Sequence, residues 1–385
     1  MKVSDVILNE WSAIWKDKRL LAVLFIIPLA YMLIFGFMYE QGQVQELSTI
    51  YIDESNTQAS QQVLQAFDNA SAFQLVGETN SEQELRNKIQ TGEAEIGIII
   101  PQDFADQLKK NRGTDVLVFV DGSNMMVANA ATRSANEIVA TFSGGISIKR
   151  LEAAGIHNGG TAPIQYGYRI LYNPGFSYGI FLLPGLLGTV VQQIIFLGVA
   201  LSVTREKEFG RWDQHYPLFL RPWRLLYAKM LPYLLIGCFN IVMMWLIISQ
   251  VFSVPFLGSF YDIAILSFAF VCSLLGIGFL ASLTAKTQLA ATQVTMLIAL
   301  PSFLLSGFTW PFAAMPDWVA AIGHCLPLTY FLHGVREIAI KGNGLAQVTG
   351  DIQILFLMAV VSSIVALIIL YIQGRKLYSC QAKQE

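Results

Sequence analysis

LLAVLFIIPLAYMLIFGFMY, the stretch Leu20–Tyr39, carries no charged residue over about the length that crosses bilayer hydrocarbon. It sits behind Lys16, Lys18 and Arg19, an arrangement that also suits a secretory signal. The run is too long for a signal h-region, and it ends in Phe37-Met38-Tyr39-Glu40 where a cleavage site would need small residues. It reads as an uncleaved first span, residues 20–39. Five further apolar runs follow at 177–203, 230–252, 261–283, 288–308 and 353–373. Pro28, Pro184, Pro232 and Pro301 lie in or near these runs, and membrane helices tolerate proline where neighbours satisfy the freed backbone groups.

Composition agrees. Of 385 residues, 54% are hydrophobic and only 14% charged, whereas a soluble domain is about 25% charged. A soluble globular enzyme is excluded. Six spans use roughly 120 residues, so most of the chain lies elsewhere. The net charge of -2 gives no sign of a nucleic-acid partner. The four cysteines, Cys238, Cys272, Cys325 and Cys380, are far apart and form no CxxC, which argues against a disulfide framework or a zinc site.

Orientation follows from Lys and Arg in the short segments. Lys2, Lys16, Lys18 and Arg19 precede span one, and Arg205, Lys207, Arg211, Arg221, Arg224 and Lys229 lie in the 204–229 loop. Arg375, Lys376 and Lys383 are in the 374–385 tail, while the loop between spans three and four has neither residue type. Both termini are therefore expected in the cytoplasm, with residues 40–176 outside, as in a bacterial inner-membrane protein. In residues 1–19, Val3, Val6, Ile7, Trp11, Ile14 and Trp15 recur at three- and four-residue steps, with Asp5, Asn9, Glu10 and Ser12 mostly between them. That pattern predicts a helix lying in the cytoplasmic interface.

Residues 40–176 are of a different character. Strands are expected at Leu47–Ile52, Phe73–Val76, Glu95–Ile100 and Val116–Val120. Helices are expected around Ser60–Phe67, from the capping-box pattern Ser81-Glu82-Gln83-Glu84 through Ile89, at Asp103–Lys110, and from Asn124 to Ala154. Alternating strands and helices indicate a small α/β domain. Asp53, Glu54 and Asp121 end strands but have no glycine-rich phosphate loop or histidine beside them. They read as turn residues, and the insert reads as a recognition or docking domain. His157-Asn158-Gly159-Gly160 opens a loop back to the membrane.

The densest charge cluster, Arg205-Glu206-Lys207-Glu208-Phe209-Gly210-Arg211-Trp212-Asp213, directly follows span two. A topological stop needs only Lys or Arg. The added glutamates, aspartate and tryptophan suit a docking surface for a protein partner. Between spans five and six, residues 309–350 are aromatic and broken by Gly and Pro. Gly307, Trp310, Pro311, Pro327 and Tyr330 fall at the edges of one or two short re-entrant helices at the outer face. His324 and His333 lack a carboxylate ligand pattern and read as structural, not metal-binding. Gln192, Gln193, Gln288 and Gln293, in or near spans two and five, could form a polar path.

Arg205-Glu206-Lys207-Glu208-Phe209-Gly210 through Leu231-Pro232-Tyr233, and Leu305-Ser306-Gly307-Phe308-Thr309-Trp310-Pro311 through Pro327-Leu328-Thr329-Tyr330, resemble the membrane subunits of ABC-2 type transporters. So does the order of interfacial helix, first span, large external domain and five further spans. The chain departs from the family at Asp213-Gln214-His215-Tyr216-Pro217, where a Glu-Gln pair followed by Thr-Pro or Ser-Pro is common. The resemblance implies an α-helical polytopic membrane protein with an extracytoplasmic α/β domain inserted between spans one and two. It also implies two cytoplasmic ABC ATPase subunits, a second membrane subunit, identical or homologous, and contact with membrane lipid; a periplasmic adaptor is left open. The ATPases would bind ATP and Mg. Their contact would fall on Arg205, Glu206, Lys207, Glu208, Gly210, Trp212 and Asp213, with Trp11 and Trp15 nearby, and spans two and five would line the path between subunits.

The chain itself has no GxxxxGK[ST], so it builds no phosphate loop, and no catalytic residue or cofactor of its own is expected. An exporter permease for a lipophilic, drug- or lipid-like substrate is the leading expectation. An ion-coupled secondary transporter would place ionisable residues at mid-membrane, and the centres of the spans hold none. A membrane-anchored sensor with an external ligand-binding domain is the other alternative.

Overall fold

The computed structural model describes residues 3–40, 42–110, 112–153, 170–212, 216–219 and 221–381. Two compact units divide the chain, one of residues 41–170 and the other of residues 1–40 with 171–385.

The chain begins with α1 (Val3–Lys16), then α2 (Lys18–Leu21), a π turn (Ala22–Ile26) and α3 (Ile27–Met38). Asp17 separates α1 from the first span. Its carboxylate accepts from the N–H groups of Arg19 and Leu20 and so caps α2. The π turn abuts Pro28, which has no N–H to offer the carbonyl of Leu24 four residues back. Asn240, fully buried on a later span, donates to that carbonyl at 3.1 Å. A proline in the span is thus tolerated because a neighbouring helix supplies the missing donor.

The inserted unit holds β1 (Leu47–Asp53), α4 (Gln58–Asp68), β2 (Phe73–Glu78), α5 (Glu82–Thr91), β3 (Ile96–Ile100), α6 (Phe104–Lys109), β4 (Leu117–Val120) and α7 (Met125–Ala153). The sheet order is β2-β1-β3-β4, with β1 parallel to both neighbours and β4 antiparallel to β3. β3 is buried along its whole length because both sheet faces are covered. Ile96, Ile98 and Ile100 pack with Phe67 and Phe104 on one face, and Ile99 packs with Leu85 on the other. Asp53 is a turn residue: it accepts from the N–H groups of Ser55 and Asn56 and from the Ser60 hydroxyl at 2.6 Å. The reciprocal capping box forms at Thr57 and Ser60. At Ser81 only its first half forms, because Glu84 turns to Lys88 at 3.2 Å. The glycine-rich loop at 157–163 lies outside the described residues.

The second half of the chain comprises α8 (Tyr178–Glu208), α9 (Tyr216–Phe219), α10 (Pro222–Gln250), α11 (Phe260–Thr284), α12 (Gln288–Leu305), α13 (Asp317–His324), α14 (Pro327–Val335) and α15 (Leu345–Gln381). Six helices among the described residues are long and apolar enough to cross a membrane: Lys18–Met38, α8, α10, α11, α12 and Leu345–Arg375. Helix bounds depart from hydropathy bounds. α8 continues five residues past 203, α10 starts at Pro222 rather than 230, and α15 starts at Leu345 rather than 353 and runs past 373. Residues 204–229, expected as a coupling loop, are therefore largely helical. Charge ends an apolar run but does not break backbone hydrogen bonding. α8 ends instead before Gly210, and after the short α9 the next span opens at Pro222, the first-turn position that proline suits.

α11 packs against α8, α10, α14 and α15. Its Phe270 stacks on Phe331 of α14 at 4.1 Å. Near its other end Ser282 donates to Ala200 O at 2.7 Å and accepts from the Val203 N–H. Such interhelical bonds contribute about 0.6–2 kcal/mol each in a membrane. Asn240→Leu, which removes the donor to Leu24, is expected to destabilise the protein by about 1 kcal/mol. The readout is a lower melting temperature in detergent; an unshifted melt would mean another donor serves that carbonyl.

Candidate functional site

The side chains that meet at one end of the bundle begin with Glu10. In α1 it lies one turn from Val6 and one turn from Ile14, both buried, so helical spacing puts it on the buried face. It is 1% exposed. Lys229 of α10, equally buried, donates to Glu10 at 2.7 Å and to Glu206 of α8 at 2.5 Å. Tyr233, one turn further along α10, donates its hydroxyl to Glu10 at 2.8 Å, and Arg205 approaches the same carboxylate at 3.5 Å. Two cations face two anions, so the group is neutral overall. This balance is what lets Glu10 and Lys229 leave water, with Arg205 and Glu206 half-buried beside them.

The next two charges tie down other helix ends. Lys207 donates to the carbonyls of Ser282, Leu283 and Ala285 at 3.2, 2.5 and 3.1 Å, at the C-terminus of α11. Glu208 accepts from the Gln288 N–H at 2.7 Å and from the Gln288 side-chain amide, at the N-terminus of α12. A cation thus sits on the negative end of one helix dipole and an anion on the positive end of another. Gly210 then closes α8, with φ at 65° in the left-handed region. The Arg211 N–H bonds Glu206 O and the Gly210 N–H bonds Lys207 O, the two bonds of a Schellman cap.

Part of the segment read as a docking surface faces inward: Arg205, Glu206 and Lys207 are half-buried and Trp212 is buried, whereas Glu208, Phe209, Gly210 and Arg211 are exposed. Arg205, Glu206, Lys207 and Glu208 are spent largely on the subunit's own helices. Trp212 is no exposed anchor either, being buried against Phe219 at 5.4 Å. Glu10, Lys229 and Tyr233 were missed as members. The alternation of polar residues in 1–19 predicts Glu10 on the polar face of α1, whereas its spacing from Val6 and Ile14 places it on the buried one. Trp11 is half-buried on the membrane core, while Trp15 is 60% exposed and stacks on Phe25. Asp213 lies outside the described residues.

Beside the cluster an open groove runs between α1 and the end of α8. Glu10 and Glu206 form its floor, and the exposed Lys16, Lys18, Arg19 and Arg211 rim it. The rim is cationic and solvent-facing, while the floor is the locked cluster.

At the far end of α12 the hairpin is closed by local bonds. Gly307 turns the chain at φ 75°, with the Phe312 ring where a side chain would stand. Trp310, exposed, donates to Ala314 O at 3.3 Å, and Pro311 is exposed beside it. Pro327 opens α14, and Tyr330 donates to His324 O at 2.8 Å. Arg336 donates to Phe308 O at 2.9 Å and lies over its ring. His324 stacks on Phe312, and His333 bonds Asp351 at 2.7 Å. No group of residues suited to a metal occurs among the described residues.

The four glutamines do not gather. Gln288 is held at Glu208, sixteen residues or about 24 Å along α8 from Gln192. Gln192 is buried in the middle of α8 with neither amide atom bonded among the described residues, Gln193 is half-buried and Gln293 is exposed.

The family profile of ABC-2 family transporter proteins matches residues 18–368. The chain belongs to this family. It is 28% identical over 343 residues to the probable multidrug ABC transporter permease YbhR of Escherichia coli, covering 88% of this chain and 90% of that one. It is also 28% identical over 364 residues to the probable multidrug ABC transporter permease YbhS of the same organism, covering 93% of each. The linearmycin resistance permease protein LnrN of Bacillus subtilis is 20% identical over 383 residues, covering 92% of this chain and 95% of that one. The chain is thus a membrane-spanning permease subunit of an ABC transporter, of a family whose membrane subunit carries no ATPase domain and associates with an ATPase subunit and a partner permease.

Lys229→Met strands Glu10 and Glu206 without their shared cation and is expected to cost about 3–5 kcal/mol, against about 1 kcal/mol for Tyr233→Phe. Thermal melts of the purified chain test both, and adding Glu10→Gln to Lys229→Met should recover part of the loss. At the hairpin, the hydrogen bond to Asp351 lifts the His333 imidazole above its ordinary 6.5 despite opposing burial. A raised folded-state value means the pair stabilises fully below that ordinary value and is lost as pH rises through the raised one. Hydrogen-exchange protection of residues 327–344 should therefore fall with rising pH above about 6.5, and Asp351→Asn should flatten the profile.

Proposed function

We propose that the chain is the permease subunit of an ATP-driven exporter in the bacterial inner membrane. A separate pair of ATPase subunits would bind ATP and Mg, and a second permease, identical or homologous, would complete the path. Both termini and the groove face the cytoplasm; the α/β insert and the hairpin face outward. The cargo is lipophilic, drug- or lipid-like. The names of the relatives, two multidrug permeases and one resistance permease, support that class, as do the apolar spans.

One observation carries the proposal: the groove between α1 and α8 lies directly on the charge cluster. A partner seated on the cationic rim would press on α1, and Glu10 would pass the displacement to α8 and α10 through Lys229. Lys207 and Glu208 would carry it on to α11 and α12. A packed bundle held at such a node has discrete arrangements, and a ligand-driven partner shifts their populations. The matching partner surface is acidic.

The test separates rim from floor. Arg19→Glu/Arg211→Glu reverses two exposed rim charges and should leave the melting temperature unchanged. It should lower co-purification of the ATPase and reduce drug-stimulated ATP hydrolysis about tenfold, the scale of a lost charge pair at an interface. Wild-type coupling in that variant would sink the groove as the ATPase contact.

A further inference from the structure

The halves of α10 and α11 far from the charged cluster enclose a cavity of about 440 Å³ that the proposed coupling does not use. Its lining is apolar apart from a few groups, and two of those stand out. Trp245 and Ser267 are 6% and 5% exposed. Neither the Trp245 indole N–H nor the Ser267 hydroxyl has a hydrogen-bond partner among the described residues. An unmet buried donor costs about 1–3 kcal/mol. The usual escape for a serine in a membrane helix is a bond to its own backbone. Ser202, Ser273, Ser302 and Ser362 all take it. Ser267 does not.

Depth narrows the missing partner. Trp245 lies five residues, about 8 Å, from the end of α10, and Ser267 seven residues, about 11 Å, from the start of α11. The helices are consecutive and antiparallel, so both donors sit at similar depth near one edge of the hydrocarbon. Tryptophan concentrates there, and the ester groups of bilayer lipids lie just beyond. Deeper, toward Cys238 and Ile241, the lining offers only apolar surface and a thiol. Phe256, edge-on to Trp245 at 5.3 Å and stacked on Phe260 at 4.5 Å, closes the shallow side. The rim consists of Val242, Leu246, Phe260 and Phe268, each between 44% and 72% exposed. A molecule already dissolved in the bilayer enters past such a rim without crossing water.

We propose that this cavity is a lipid site: it holds one acyl chain of a bilayer glycerophospholipid, whose ester carbonyl accepts hydrogen bonds from Trp245 Nε1 and Ser267 Oγ. The chain fills the apolar depth, and the carbonyl meets two donors that otherwise go unpaired. The site rests on spans three and four alone and does not depend on the coupling mechanism.

The test uses the full-length chain purified in detergent and titrated with phosphatidylethanolamine bearing a diazirine in its acyl chain, followed by photolysis and peptide mapping. Saturable adducts are expected within residues 238–268. Ala264→Phe adds a ring to the cavity wall at an exposed position and should cut labelling of these peptides at least tenfold. Trp245→Phe/Ser267→Ala keeps the shape but removes both donors, and should raise the half-labelling lipid fraction about fivefold or more, the scale of two hydrogen bonds. Equal labelling of all spans, or unchanged labelling in Ala264→Phe, overturns the site. Unaltered half-labelling in the double variant overturns the role of the donors. Saturation by a diazirine fatty acid at the same or lower fraction than the phospholipid overturns the assignment to a bilayer lipid.

Discussion

A charge withdrawn from water must find its opposite, and one such requirement organises this subunit. Lys229 is buried, and its ammonium is met by Glu10 from α1 and Glu206 from α8. Because each partner comes from a different helix, satisfying one cation fixes three helix ends relative to one another. Replacing such a group by apolar residues is often no less stable, so its value lies in register: an interfacial helix held by hydrophobic contact alone could slide along the bundle. Lys207 and Glu208 extend the node to α11 and α12 by using helix dipoles, which need no matching side chain beyond Gln288.

The opposite end of the bundle is closed differently. The hairpin α13–α14 is short and polar at its backbone, and its free groups are met by Thr329, Tyr330 and Arg336 reaching carbonyls. Between the two ends the spans differ in how much of their surface the subunit itself covers. α8 and α11 are mostly buried, while the first span, α12 and α15 leave most of their apolar surface open to lipid or to a second subunit. Of spans two and five, expected to line a shared path, only α12 presents a broad free face in this chain, with Leu289, Leu297, Leu300 and Leu304 exposed.

Much of the architecture was legible in the linear chain. Six apolar runs gave the spans, because bilayer thickness imposes a length on them. In the insert, Leu47–Ile52 and Glu95–Ile100 announced strands by apolar content, and Asp53-Glu54-Ser55-Asn56 announced a turn. Helix ends were less legible. The alternating charges from 205 predict a partly helical segment inside the 204–229 loop, but not that span two continues unbroken through 205–208 and ends only where Gly210 adopts a left-handed conformation. The candidate site was half legible: its α8 residues were singled out, and Glu10, Lys229 and Tyr233 were not.

The sequence alone determined a six-span membrane protein with an α/β insert, since composition, run length and turn chemistry are local properties that each segment carries with it; the permease role came from the resemblance of two motifs to a family. Only the tertiary structure decided what the charges at 205–208 do. Their partners stand far away in the chain, on α1, α10, α11 and α12. Whether a carboxylate meets water, an ammonium or a helix terminus depends on which helix ends are packed together, and no local pattern states that.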